Sequence, residues 1–95
     1  MIVIRRLVWD PRNVEHIARH QVTPREVEQV CQGVHIVRRA YDGRIMLIGP
    51  TRAGRVLAVV LEPETEAAYY PVTARPASRK ERRVYREETQ GETHD

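Results

Sequence analysis

Phenylalanine is absent from this sequence, cysteine and tryptophan occur once each, and lysine occurs once among sixteen basic residues. Without Phe, a core has to be assembled from Val, Ile, Leu, Ala and four tyrosines, and an apolar share of 41% makes it a thin one. The lone cysteine, Cys31, excludes an internal disulfide. Long apolar runs are missing too: stretches such as 56–61 fall far short of the roughly 20 residues that cross a bilayer. No positively charged leader stands before an apolar stretch at the N-terminus, so a cytoplasmic protein without membrane contact is expected. A chain of 95 residues has room for one domain and one core. Such a core holds only about a few kcal/mol in reserve, which leaves stabilisation by a partner, or by a homodimer, open.

Charge is unevenly placed. Residues 1–86 carry all sixteen basic side chains and nine acidic ones, a net +7, whereas 87–95 carry four acids and no base. Residues 1–86 are therefore expected to form a single domain and 87–95 an acidic, disordered tail. Fifteen of the sixteen bases are arginine, whose planar fork suits phosphate better than an ammonium does. That favours an anionic partner, although codon choice in a GC-rich genome gives the same bias, so it does not establish nucleic-acid binding alone.

Residues 2–8 are rich in β-formers and predict a strand. Asp10-Pro11 then supplies an N-cap with proline at the first helical position, and Val14, Ile17 and Ala18 form the apolar stripe of a helix running to about His20. Thr23-Pro24-Arg25-Glu26 is a capping box that opens a second helix with Val27, Val30 and Cys31 on its apolar side, where Cys31 packs rather than reacts. Gly33 is expected to end it in the left-handed conformation. The period then changes to strands at 34–37, 44–48, 55–61 and 68–74, with Asp42-Gly43 as a hairpin turn, Thr51 to Gly54 as the next and Pro63 marking the third. Pro71 cannot donate a ladder bond, so its strand should be an edge strand or bulge there. Ser78-Arg79-Lys80-Glu81, a further capping box, opens a basic last helix. The expected fold is α+β: an antiparallel sheet of four to five strands with two N-terminal helices and one C-terminal helix, in the order β-α-α-β-β-β-β-α.

The residues at these joints resemble the BrnT-type ribonuclease toxins of bacterial toxin–antitoxin modules. The matching pieces are Trp9-Asp10-Pro11 with Asn13, Arg19-His20 before Val22, the Thr23 cap, Ile48-Gly49 with Thr51 and Gly54-Arg55, Thr73 to Ala77, and Glu81-Arg82 with Tyr85. Together they span residues 9–85. The resemblance implies a RelE-like fold with a curved sheet, a cytosolic RNA substrate, and a BrnA-like ribbon-helix-helix antitoxin, through which alone operator DNA is reached. Two positions depart from the pattern: Gln21 stands where a glycine follows the histidine, and Tyr69-Tyr70-Pro71-Val72 replaces an isoleucine-rich strand.

Cleavage of RNA without a metal or other cofactor needs a group to take the 2′-hydroxyl proton, cations around the phosphorane, and a proton for the leaving 5′-oxygen. A histidine, with an ordinary pKa of about 6.5, suits the first and last tasks. His20 is the first candidate for general acid or base, or else a cation closing the first helix. Arg75, directly before the last helix, is expected at the catalytic centre, with the amides of Ala77 to Lys80 forming a phosphate cradle; the rival is an ion pair to Glu81. Tyr85 is expected either to support catalysis by stacking on a base or orienting a phosphate, or to belong to the core. Arg19, Arg79, Lys80 and Arg82 are the expected phosphate contacts. Arg79 and Arg83 share one stripe of the helix and Arg82 and Arg86 the next, so they do not all face one site. His16 and His20 have a metal-compatible spacing but lack a third ligand, and Asp10 is expected to cap rather than catalyse. An endoribonuclease toxin is thus the leading expectation. A non-catalytic, decayed toxin that binds an antitoxin or nucleic acid through its basic face is the alternative.

Overall fold

The structure, a computed structural model, describes residues 2–90. Its elements are β1 (Arg6–Leu7), α1 (Pro11–Ala18), α2 (Pro24–Gln32), β2 (Ile36–Arg39), β3 (Ile45–Pro50), β4 (Val56–Pro63), β5 (Ala68–Pro76) and α3 (Arg79–Gln90). This is the expected α+β order. The five strands form one sheet in the order β1-β5-β4-β3-β2, antiparallel throughout except that β1 runs parallel to β5. The sheet is therefore mixed, where an antiparallel one is expected from the sequence.

Only two of residues 2–8 pair as strand, and Pro71 stops the pairing on its C-terminal side. The amides of Arg5 and Val8 donate to the carbonyls of Ala67 and Tyr69, so the next rung falls to Pro71, which has no N–H. The Val8 carbonyl accepts from Asn13 Nδ2 at 3.0 Å instead. Pro71 itself sits in an inner strand, next to a bulge: Leu61 pairs with Pro71 and Val60 with Thr73, leaving Val72 as the extra residue.

The capping signals are realised. Asp10 and Asn13 cap one another through paired 2.9 Å bonds, and Thr23 and Glu26 form the same box at α2 with bonds of 3.0 and 3.2 Å. Helix α1 stops at Ala18, two residues short of His20. The Gln21 amide donates to Ala18 and the Val22 amide to Ile17, with Gln21 at φ 62°, so glutamine takes the left-handed place of a Schellman stop that usually belongs to glycine. Gly33, by contrast, ends α2 in an extended conformation (φ −94°, ψ −168°) rather than the left-handed one expected. At the first hairpin Asp42 and Gly43 both have positive φ and the Arg44 amide donates to the Tyr41 carbonyl, the geometry of a type I′ turn.

Strand alternation divides the apolar residues between two faces. Leu47, Leu57, Val59, Leu61 and Ala74 bury one face against Ile17, Val22, Val27 and Val30 of the α1–α2 layer. Ile48 and Ala58 on the other face pack with Ala77 and Tyr85 of the α3 region. Helix α3 continues through Gln90, four residues into the segment assigned from sequence to the acidic tail; residues 91–95 lie outside the described ones. Among the described residues no helix is long and apolar enough to cross a membrane.

Candidate functional site

The candidate residues fall into two groups. The first surrounds the start of α3. Arg75, on β5 opposite Ala58, grips the Glu81 carboxylate with both guanidinium nitrogens at 2.8 and 2.9 Å. The Ser78 amide adds a 2.8 Å bond to the same carboxylate, and the Ser78 hydroxyl accepts from the Glu81 amide. Arg75 foremost, helped by Ser78, holds the Glu81 carboxyl down at about 2 against the opposing effect of desolvation; in return Glu81 raises the pKa of Arg75. Of the two readings left open for Arg75, the ion pair to Glu81 is made. The cradle expected from the amides of Ala77 to Lys80 is correspondingly half filled. Ala77 donates to the Val56 carbonyl and Ser78 to Glu81, leaving the amides of Arg79 and Lys80.

Arg82 is tethered as well, its Nη1 donating to the Ala77 carbonyl at 2.8 Å. Tyr85 packs on the Ile48–Ala58–Ala77 cluster and its hydroxyl donates to the Val34 carbonyl, so core and polar tether are combined in one side chain. Arg79, Lys80, Arg83 and Arg86 are exposed along α3.

The second group lies at α1. His20 is exposed just past the end of the helix, its ring edge-to-face with that of His16 at 5.8 Å between centroids. The cation serving the carbonyl end of α1 is Arg55, which reaches the carbonyls of Gln21 at 2.7 Å and His20 at 3.3 Å and also pairs with Glu26. Arg19 is exposed beside them. No hydrogen bond, ion pair or ring contact among the described residues joins His20 to Arg75, Arg82 or Tyr85. No group of three or more His, Cys, Asp or Glu side chains suited to a metal ion occurs among them either.

His16 borders a cleft of about 690 Å³ between α1, the β2–β3 turn and the adjoining parts of β4 and β5. Asp10, Arg12 and Asn13 line it from α1, Tyr41 and Arg44 from the turn, and Glu62, Glu64, Tyr70, Val72 and Thr73 from the far side. Arg44 donates to Glu62 at 2.6 Å and lies over the Tyr41 ring; Glu62 raises its pKa. The Tyr70 hydroxyl reaches both Asp10 oxygens at 3.1 Å. Asp10 is held below the usual carboxylate range, mainly by the Asn13 amide, while burial and the Asp10 hydrogen bond push the Tyr70 phenol up.

No family model matches the sequence, and no curated protein matches it. Among solved structures, the crystal structure of the Brucella abortus ribonuclease toxin BrnT is similar, with a TM-score of 0.62 at 25% sequence identity. The match covers 78% of this chain and 97% of that toxin. The chain has the BrnT-type toxin fold.

Within this BrnT-type fold, the α3 cluster and His20 belong to segments that carry sequence motifs, whereas most of the cleft lining does not. Arg12, Arg44, Glu62, Glu64 and Tyr70 come from four separated segments and share no motif. The only motif that marks His16 in the sequence is its metal-compatible spacing from His20. The one local signal was the pairing of Tyr69-Tyr70 with the Pro71 bulge, which marks a reshaped strand. Cys31 packs, as expected, against the core of the BrnT-type fold, where burial pushes its thiol up to about 12.

Proposed function

We propose that this chain is the toxin of a type II toxin–antitoxin module and cuts cellular RNA in the cytoplasm as a metal-independent endoribonuclease. The observation that carries the proposal is the likeness to the Brucella ribonuclease toxin along nearly that toxin's whole length. The excess of arginine on the exposed side of α3 is consistent with it.

In this reading RNA lies along α3, with Arg79, Lys80 and Arg82 holding phosphates on one side and Arg19 on the other. His20 exchanges protons with the reacting strand. The 2′-oxygen attacks the neighbouring phosphorus, its proton passes to imidazole, and the leaving 5′-oxygen departs with a proton, giving a 2′,3′-cyclic phosphate and a 5′-hydroxyl. Arg75 stabilises the developing charge while Glu81 fixes its fork, and Tyr85 supports a base or phosphate from beside its Val34 tether. A ribbon-helix-helix, BrnA-like antitoxin covers the same basic face and carries the contact to DNA. Pairing of two toxin chains as a homodimer is compatible with this arrangement.

Induced expression of wild type beside His20→Ala and Arg75→Ala, read as growth and bulk RNA integrity, tests the proposal. Arrest with RNA loss that both substitutions relieve, in proteins whose circular dichroism stays folded, is expected. Undisturbed growth and intact RNA with a folded wild type overturn it in favour of a non-catalytic binding module.

A further inference from the structure

We propose that the cleft between α1 and β5 is a nucleotide-binding site selective for guanosine, with Glu64 reading the base and Arg12 holding the phosphate beside His16. The proposal rests on the ribonuclease reading above and adds to it a second, specificity-determining site away from α3.

The cleft, at about 690 Å³, falls in the roughly 300–1,000 Å³ range of small-molecule sites. Most of its charged groups already satisfy one another. Arg44 is taken by Glu62, and Asp10 by Tyr70 and the Asn13 amide. Among the described residues the side chains of Arg12 and Glu64 have no hydrogen bond or ion pair, and the His16 ring has no hydrogen bond and a ring contact only with His20. The groups still available to a ligand are thus one guanidinium, one imidazole and one carboxylate, in a cleft that Tyr41 and Tyr70 also line.

This combination eliminates simple ligands. A small polyanion is repelled by Asp10, Glu62 and Glu64, and a cation meets Arg12 and Arg44. A ligand with an anionic group for Arg12, hydrogen-bond donors for Glu64 and a flat ring for the tyrosines answers all of these, which describes a nucleotide. A carboxylate only accepts hydrogen bonds. Guanine alone among the four bases offers two adjacent donors, N1–H and the 2-amino group, to the two oxygens of one carboxylate. The contact between His16 and His20 sets the phosphate of such a nucleotide next to the imidazole proposed to move protons.

The test is titration of the full-length protein with the 3′-monophosphates of guanosine, adenosine, cytidine and uridine, followed by calorimetry and by amide chemical shifts. Guanosine 3′-monophosphate is expected to bind about tenfold more tightly than the others and to shift residues of the cleft. Glu64→Gln should erase that preference, and Arg12→Gln should weaken all four nucleotides alike; both positions are exposed, so the fold is spared. Equal affinity for the four nucleotides, or shifts confined to α3, overturns the site. RNA cleavage by the same preparation separates the two readings. Cleavage without nucleotide binding in the cleft removes this site and leaves the ribonuclease, whereas guanosine selectivity with RNA left intact keeps the site and removes the ribonuclease.

Discussion

Replacing Glu81 by glutamine keeps the shape of the side chain and an oxygen for the Ser78 amide but removes the charge that Arg75 grips. The Glu81 carboxyl sits at about 2 in the folded chain against an ordinary 4.5. At ~1.4 kcal/mol per pH unit that gap is worth about 3 kcal/mol. The Arg75 side chain is 40% exposed, and solvent screening reduces the figure to about 1–2 kcal/mol. Because the folded-state pKa is depressed, this stability is fully present above about pH 4.5 and drains away as pH falls through about 2. Urea unfolding followed by circular dichroism should therefore find Glu81→Gln about 1–2 kcal/mol less stable than wild type near neutrality. In thermal terms this is roughly 4–16 °C for a domain of this size. The deficit should shrink toward zero near pH 2. Arg75→Gln should cost a similar amount, and the double variant little more than either, since both remove one interaction. An equal penalty at both pH values would refute the charge argument and assign the cost to packing or to the helix cap.

Gln21→Gly should raise stability by about 0.5–1 kcal/mol in urea unfolding, because glycine occupies φ 62° without strain; a loss instead would mean that the glutamine side chain itself stabilises the turn. Gly49→Ala should lower stability by about 1–3 kcal/mol in the same assay, since the new Cβ meets His35 Cβ and the Val34 carbonyl oxygen, both at 2.9 Å. In a filter-binding salt series, changing Arg79 and Lys80 together to glutamine should reduce the slope of log affinity against log salt by about 1.4, the contribution of two single-strand phosphate contacts; an unchanged slope places the RNA elsewhere.

Features written in consecutive residues were legible in the sequence. Asp10-Pro11, Thr23 with Glu26, and Ser78 with Glu81 mark helix starts because a cap needs only a side chain three residues from the amide it serves. Asp42-Gly43 marks its hairpin because both residues tolerate positive φ. Features that depend on distant partners were not. The short parallel contact of β1 is decided by Pro71 and Asn13, neither of which lies in the strand. Gln21 is held left-handed by hydrogen bonds and by Arg55, 34 residues away. Residues Glu66 and Ala67 turn the last hairpin at φ 50° and 65° with no glycine to announce it. For the site, Arg75 and Glu81 are close enough in sequence for their pairing to be weighed in advance, whereas the cleft exists only once α1 lies beside the bulged part of β5.

Helix α3 has no buried residue, in contrast to α1 and α2, which sink Ile17, Val27 and Val30 completely. Its attachments are mostly polar: Arg75 to Glu81, Arg82 to the Ala77 carbonyl, Tyr85 to Val34, and Arg38 to Glu88. A helix moored by charge responds to ionic strength and acidity, while the apolar layer on the opposite face does not. The chain is thus built of two materials: an oily frame that sets the shape, and a basic arm whose grip can be loosened without dissolving the frame.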